Sequence, residues 1–137
     1  MNTNNYTKVA DVMTPDVKTV ERMATVKEAI DIMRTEGVSS LAVERRDETD
    51  EFGLLVVSDI ASKVIGPDKA IDRTNVYEVM AKPVLSLPPD MNIKFAVRLL
   101  VRFTLSRALV VNLERKPIGI VTLRDMVLRH SEDWNEG

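Results

Sequence analysis

Most of this chain is written twice. Val79-Met80 repeats Val12-Met13 at an offset of 67, and Val84-Leu85-Ser86-Leu87 falls on Val17-Lys18-Thr19-Val20. Ile93, Ala96, Val97 and Leu100 then coincide with Val26, Ala29, Ile30 and Met33, and the stretch from Leu105 overlies the one from Val38. The offset drops to 66 beyond the tip at Asn112 to Pro117, one residue shorter than its counterpart, so that Gly119 lands on Gly53 and Asp125 on Asp59. Self-similarity through successive elements means a duplicated structural unit, and every reading of one copy must also hold for the other.

Each copy reads as β-α-β-β-α. Val9 to Val17 carries the pattern of a short helical turn interrupted by Pro15, and Val17-Lys18-Thr19-Val20 alternates as a brief strand does. Thr25-Val26-Lys27-Glu28 is a capping box, so a helix starts after Thr25. Val26, Ala29, Ile30 and Met33 give that helix one apolar face, and Gly37 stops it. Val38 to Val43 reads as a strand, Asp47 to Glu51 as a solvated hairpin tip, Gly53 to Val57 as the return strand, and Ser58 to Ile65 as a helix ended by Gly66-Pro67. The second copy follows the same order, with Asn92 as the cap of its first helix and Thr122 as the cap of its last. The domain division is 1–74 (core 9–66) and 75–137 (core 75–131). A unit this small cannot bury enough apolar surface alone, so the fold class is α+β with the two units packed sheet to sheet about a pseudo-twofold axis, leaving two equivalent clefts.

Composition removes whole classes of function. With no cysteine, disulfides, thiolate nucleophiles and Cys-ligated metals are excluded, and the one histidine, His130, sits near the end of a helix. There is no P-loop and no carboxylate cluster beside a base, so no enzyme is expected. Asp47 to Glu51 lacks the glycine and ligand spacing of a calcium loop, so no metal site is expected. No apolar run approaches the ~20 residues of a membrane helix, and the polar start is no signal peptide; the expectation is a cytoplasmic protein without membrane contact. The net charge of −2 argues against a nucleic-acid partner. That charge is uneven, −4 over residues 1–74 and +2 over 75–137, with Lys94, Arg98, Arg102, Arg107, Arg115, Lys116, Arg124 and Arg129 concentrated in the second copy.

The chemistry gathers at two junctions, Gly53-Leu54-Leu55-Val56-Val57-Ser58-Asp59 and Gly119-Ile120-Val121-Thr122-Leu123-Arg124-Asp125. Each is a buried strand running into a helix with an aspartate in the first turn. Taken with the Val-Met pairs and the strands at Val38 and Leu105, these junctions make residues 9–131 resemble a tandem cystathionine-β-synthase (CBS) domain pair, the Bateman module. The resemblance implies an adenosine-containing ligand (AMP, ADP or ATP, with S-adenosylmethionine or NAD also within the family's range) held in the clefts, and no required cofactor. Its aspartate corresponds to the family's ribose-binding acid, since a carboxylate accepts two hydrogen bonds from a cis-diol. Its Ser/Thr three residues earlier meets phosphate with the helix amides.

Carried over, one cleft combines Thr14, Val17, Lys18, Val38 and Ser39 with Arg107, Ile120, Thr122 and Asp125. The other combines Ala81, Val84, Leu85, Leu105 and Ser106 with Leu54, Val56 and Asp59. The two are unequal, because Val56 stands where the other has Thr122, and Leu85 where it has Lys18. The first cleft is the better equipped for phosphate. The expected function is a stand-alone sensor, a homodimer through its helix faces, that signals to a separate effector protein; the alternative is a scaffold with vestigial clefts. Phe95, Leu99 and Phe103 widen the apolar face of their helix in keeping with a homodimer.

Overall fold

The computed structural model describes residues 6–82 and 84–134. Among these residues, five α-helices and seven strands follow one another in the order that the duplication requires. The first helix, α1, is Val9–Val12, followed by the two-residue strands β1 (Thr14–Pro15) and β2 (Thr19–Val20). Helix α2 (Val26–Glu36) leads to the hairpin of β3 (Ser40–Val43) and β4 (Gly53–Val56). Helix α3 (Val57–Ile60) continues as a π-helical turn over Ala61–Ile65, and a 3-10 turn at Val76–Glu78 opens the second copy. Then come β5 (Ser86–Leu87), α4 (Ile93–Arg102), the hairpin of β6 (Arg107–Val111) and β7 (Pro117–Thr122), and α5 (Leu123–Asp133).

The start and stop of α2 are those its sequence dictates. Thr25 Oγ1 accepts from the Glu28 amide at 3.1 Å, and Glu28 Oε1 accepts from the Thr25 amide at 2.9 Å. Gly37 then takes the left-handed conformation at φ 68°, which lets the Val38 amide reach the Met33 carbonyl at 3.0 Å. In the second copy that position is Thr104, with φ 57°, and the Leu105 amide likewise reaches the Leu100 carbonyl at 2.8 Å. A β-branched residue is strained there while glycine is not. Thr104→Gly is therefore expected to raise stability by about 1 kcal/mol, read as a higher urea midpoint at constant slope. Gly66 is not a left-handed stop: its φ is −56°, and the left-handed residue after that helix is Asp68 at 64°.

The copies of the sequence and the compact units of the structure do not coincide. One compact unit is 17–84; the other is 1–16 with 85–137. The boundary at 74/75 thus cuts the sequence repeat, while the packing boundaries lie near 16/17 and 84/85, and each unit is completed by the lead segment of the other copy. The 17–84 unit has a three-stranded sheet, β2-β3-β4, and a core of Val20, Val26, Ala29, Met33, Leu41, Val43, Leu55, Ile60 and Val64 that also takes in Val76 and Val79. The other unit has a four-stranded sheet, β1-β7-β6-β5, and a core of Leu87, Ile93, Ala96, Leu100, Ala108, Val110, Val121 and Met126 that takes in Val9. In both, a parallel pair joined through a helix (β2 with β3, β5 with β6) is extended by an antiparallel hairpin.

The two leads dock by the same hydrogen bonds. Val9 N donates to Met91 O at 2.8 Å and Ala10 N to Pro89 O at 2.9 Å; in the other unit Val76 N donates to Ala24 O at 2.8 Å and Tyr77 N to Arg22 O at 3.0 Å. Each lead then crosses the hairpin antiparallel, with Thr14 in register with Ile120 and Ala81 bridging Leu54. The glycines make this crossing possible. A Cβ on Gly53 would sit 2.7 Å from Met80 Sδ, and one on Gly119 would sit 2.8 Å from Met13 Cγ.

The 17–84 unit adds an ionic clasp between hairpin tip and lead. Asp50 accepts from Lys82 Nζ at 2.6 Å and from the Arg46 amide at 2.9 Å, with 9% of its side chain exposed. The hairpin tip, expected to be simply solvated, is therefore pinned to the lead. The Arg46 amide and the Lys82 ammonium hold the Asp50 carboxyl well below the usual carboxylate range. A depressed folded-state pKa contributes stability above the unfolded value of about 4, and that stability is lost as the pH falls through the folded value. Asp50→Asn is thus expected to lower the unfolding midpoint near neutral pH and to lose less than wild type between about pH 4 and pH 2. Chemical denaturation across that range reads both effects.

Candidate functional site

In the unit built from 1–16 and 85–137, β7 runs into α5 with Thr122 as the hinge between extended and helical backbone (φ −113°, ψ 151°). Thr122 Oγ1 accepts from the Asp125 amide at 3.0 Å. The hydroxyl has spent a lone pair and keeps its proton to donate elsewhere. The Leu123 amide donates to the Ser106 carbonyl at 2.8 Å, tying the junction to the start of β6. Antiparallel register sets Arg107 opposite Thr122, and Thr14 and Leu109 both opposite Ile120. These positions share one face of the sheet, while their neighbours Ala108, Val110 and Val121 belong to the core. Asp125 stands at the end of that face, half-buried, with the exposed Arg124 guanidinium 3.4 Å from Oδ1. Such a surface pair holds the carboxylate weakly.

The unit spanning 17–84 has the same frame and different chemistry. The Val57 amide donates to the Ser39 carbonyl at 3.1 Å, as Leu123 does to Ser106, but Val56 makes no side-chain cap. Leu54 and Ala81 exchange backbone hydrogen bonds at 3.1 and 2.8 Å. Asp59 lies 3.9 Å from Lys63 Nζ, one turn along its own helix.

The structure thus places Thr14, Arg107, Ile120, Thr122 and Asp125 in one unit, and Leu54, Val56, Asp59, Ala81 and Val84 in the other. The remaining residues of each predicted cleft lie across the unit division. Val17, Lys18, Val38 and Ser39 belong to the 17–84 unit, where Lys18 pairs with Glu36 at 3.6 Å. Leu85, Leu105 and Ser106 belong to the other unit; the Leu85 carbonyl accepts from the Leu109 amide as that of Lys18 accepts from Ala42. Sequence reasoning used Met13 and Met80 only as marks of the repeat and missed that they occupy the space beside Gly119 and Gly53. It also passed over Lys63 and named Arg129 only as one basic residue of the second copy, although the 66-residue offset superposes the two.

Among the described residues, no group of three or more His, Asp or Glu side chains is arranged to hold a metal ion, and no helix is long and apolar enough to cross a membrane. Against known families, the CBS domain model matches residues 9–66 and 76–131. An uncharacterized protein of Methanopyrus kandleri is 32% identical over 120 residues, covering 87% of this chain and 60% of its own length. The chain spans from 23% to 60% of the length of the first three curated relatives it matches. Among solved structures, a hexameric CBS-CP12 protein from bloom-forming cyanobacteria is 29% identical with a TM-score of 0.86, covering 91% of this chain and 68% of its own. The CBS domain pair of protein MJ0100, in complex with 5′-methylthioadenosine and S-adenosyl-L-methionine, is 22% identical with a TM-score of 0.76, covering 93% and 98%.

Proposed function

The chain belongs to the CBS-domain family, and from that premise we propose that it is a regulatory module whose Thr122–Asp125 junction binds an adenosine-containing ligand. The observation that carries this reading is the state of the Thr122 cap. Its hydroxyl is oriented by the Asp125 amide and still has a proton to give, at the N-terminus of an 11-residue helix, with Arg107 in register beside it. A helix N-terminus, a hydroxyl and a guanidinium suit a phosphate, and the Asp125 carboxylate suits a ribose diol. AMP, ADP and ATP combine both groups; S-adenosylmethionine and NAD keep the ribose, and the MJ0100 pair supports that class. Isothermal calorimetry with AMP, ATP, S-adenosylmethionine and NADH tests the reading, and heat from none of them sinks it.

Signalling requires that the ligand prefer one of two conformations, since equal affinity for both shifts nothing. In our reading a separate effector protein senses that shift. We also assign a homodimer to the faces of α4 and α5. Phe95, Val101, Phe103, Val127 and Trp134 are exposed on or beside these helices, and Val97, Val127 and Trp134 help line a groove of about 480 Å³ there. The outer face of α2, by contrast, is laced by Lys27–Asp31–Arg34 ion pairs and offers no such surface. The Asp59 junction favours the second reading for its own unit, a scaffold without ligand, because Val56 supplies no hydroxyl and Lys63 lies beside the acid.

A further inference from the structure

The residue four places after each junction aspartate reaches back to the lead segment of the same compact unit. Lys63 Nζ donates to the Val79 carbonyl at 3.3 Å, and Arg129 Nη1 donates to the Asp11 carbonyl at 3.4 Å. These cations superpose at an offset of 66, and their acceptors lie in α1 (Asp11) and immediately after the 3-10 turn (Val79), the corresponding parts of the two leads. Each lead goes on within three residues to the strand position that crosses the hairpin, Ala81 on Leu54 and Thr14 on Ile120. A cation on the aspartate's own helix therefore fastens the segment that flanks the aspartate's strand.

The two fastenings differ in one respect. Lys63 is shared, 3.9 Å from Asp59 as well as bonded to Val79 O. Arg129 is committed away from its junction: its Nε donates to Asp133 at 3.2 Å, and Asp133 in turn accepts from Thr7 Oγ1 at 2.5 Å, also on the lead. Asp125 pairs instead with the exposed Arg124, 3.4 Å from its Oδ1.

We propose that Lys63 and Arg129 are the positioning residues that couple the junction helices to the leads, and that only Lys63 makes its lead respond to the charge on its junction aspartate. In the 17–84 unit, whatever engages or neutralises Asp59 alters the hold of Lys63 on Val79. In the other unit the lead is sewn to α5 through Arg129 and Asp133 whether or not Asp125 is engaged. The lead that carries Val79 is responsive, and the lead that carries Asp11 is constitutive. The inference goes beyond the ligand reading, which concerns the Asp125 junction, and it stands on the protein without ligand.

Amide hydrogen exchange on the full chain without nucleotide tests it. Lys63→Met is expected to speed exchange at Val79, Met80 and Ala81 by about three- to ten-fold, and Arg129→Met to do the same at Asp11 and Met13, as loss of one net hydrogen bond requires. Lys63→Arg and Arg129→Lys, which keep the donor, are expected to restore most of the protection. The discriminating pair is Asp59→Asn, which speeds exchange at Val79–Ala81, and Asp125→Asn, which leaves Asp11 and Met13 as in wild type. Wild-type exchange in both methionine variants overturns the coupling. An Asp125→Asn effect as large as that of Asp59→Asn overturns the asymmetry. Should no nucleotide bind, the sensor reading fails while these exchange results still decide the coupling.

Discussion

Gly119→Ala is expected to cost about 2–3 kcal/mol, near the upper end for overpacking a rigid site. Gly119 has no positive φ to lose, so the cost is one of space. A Cβ there would meet Met13 at both Sδ and Cγ, and the Thr14 carbonyl at 3.1 Å. The sulfur end of a methionine can swing away; its Cγ and a neighbouring backbone oxygen cannot do so without moving the lead. Because Thr14 is in register with Ile120, a displaced lead opens the edge of the sheet beside Thr122 as well. Gly53→Ala serves as the internal control. Only Met80 Sδ lies too close there, at 2.7 Å, while Ala81 O and Val43 Cβ stand at 3.4 Å, so a cost of about 1 kcal/mol is expected. Urea denaturation of the two variants should rank them in that order. If the clash is the cause, Met13→Ala in the Gly119→Ala background recovers stability, with a coupling of at least about 1 kcal/mol. Simple additivity of the two substitutions would refute the account.

The contrast between these glycines and α2 marks how far the sequence could be read. Local chemistry was fully legible: the capping box at Thr25 and Glu28, the glycine stop at Gly37 and the Thr122 cap each act between residues three to five apart, and each forms as written. The duplication was legible because it is a property of the string. Long-range placement was not. Pro15 reads as an interruption, yet Thr14–Pro15 is an edge strand, a place where a missing amide does no harm. The strands at Val17, Val38 and Leu105 read two residues too long at their starts, because apolar character continues past the last ladder pair. Nothing in composition tells which hairpin a lead will cross, so the exchange of leads between copies emerged only in three dimensions. The hint was present: Met13 and Met80 recur at one offset and Gly53 and Gly119 at another, and each methionine fills the space its glycine leaves. Lys82 on Asp50 was beyond reach, since the second copy has no such pair to announce it.

Asp125→Ala is expected to weaken the binding of an adenosine-containing ligand about 100-fold or more while leaving the fold almost intact. Two charge-assisted hydrogen bonds to a ribose diol are worth roughly 3 kcal/mol together, and an unpaired diol keeps its desolvation cost. The same substitution removes from α5 only the favourable charge of its first turn, about 0.5 kcal/mol at an exposed end. Binding and stability should therefore separate in this variant, by calorimetry with ATP on one side and urea denaturation on the other. Thr122→Val, which copies Val56 into the better-equipped junction, should show the opposite balance. It loses the cap to the Asp125 amide, about 1 kcal/mol of stability, and its effect on binding should be larger for ATP than for adenosine, because the hydroxyl serves phosphate and not ribose. Thr122→Ser keeps both functions and should behave as wild type. Asp59→Ala is the comparison that decides between one site and two. If its isotherm with ATP matches wild type while that of Asp125→Ala is flat, a single junction binds. If both variants halve the stoichiometry, the absence of a hydroxyl at Val56 is no bar to binding, and the two copies have kept the same function despite their different chemistry.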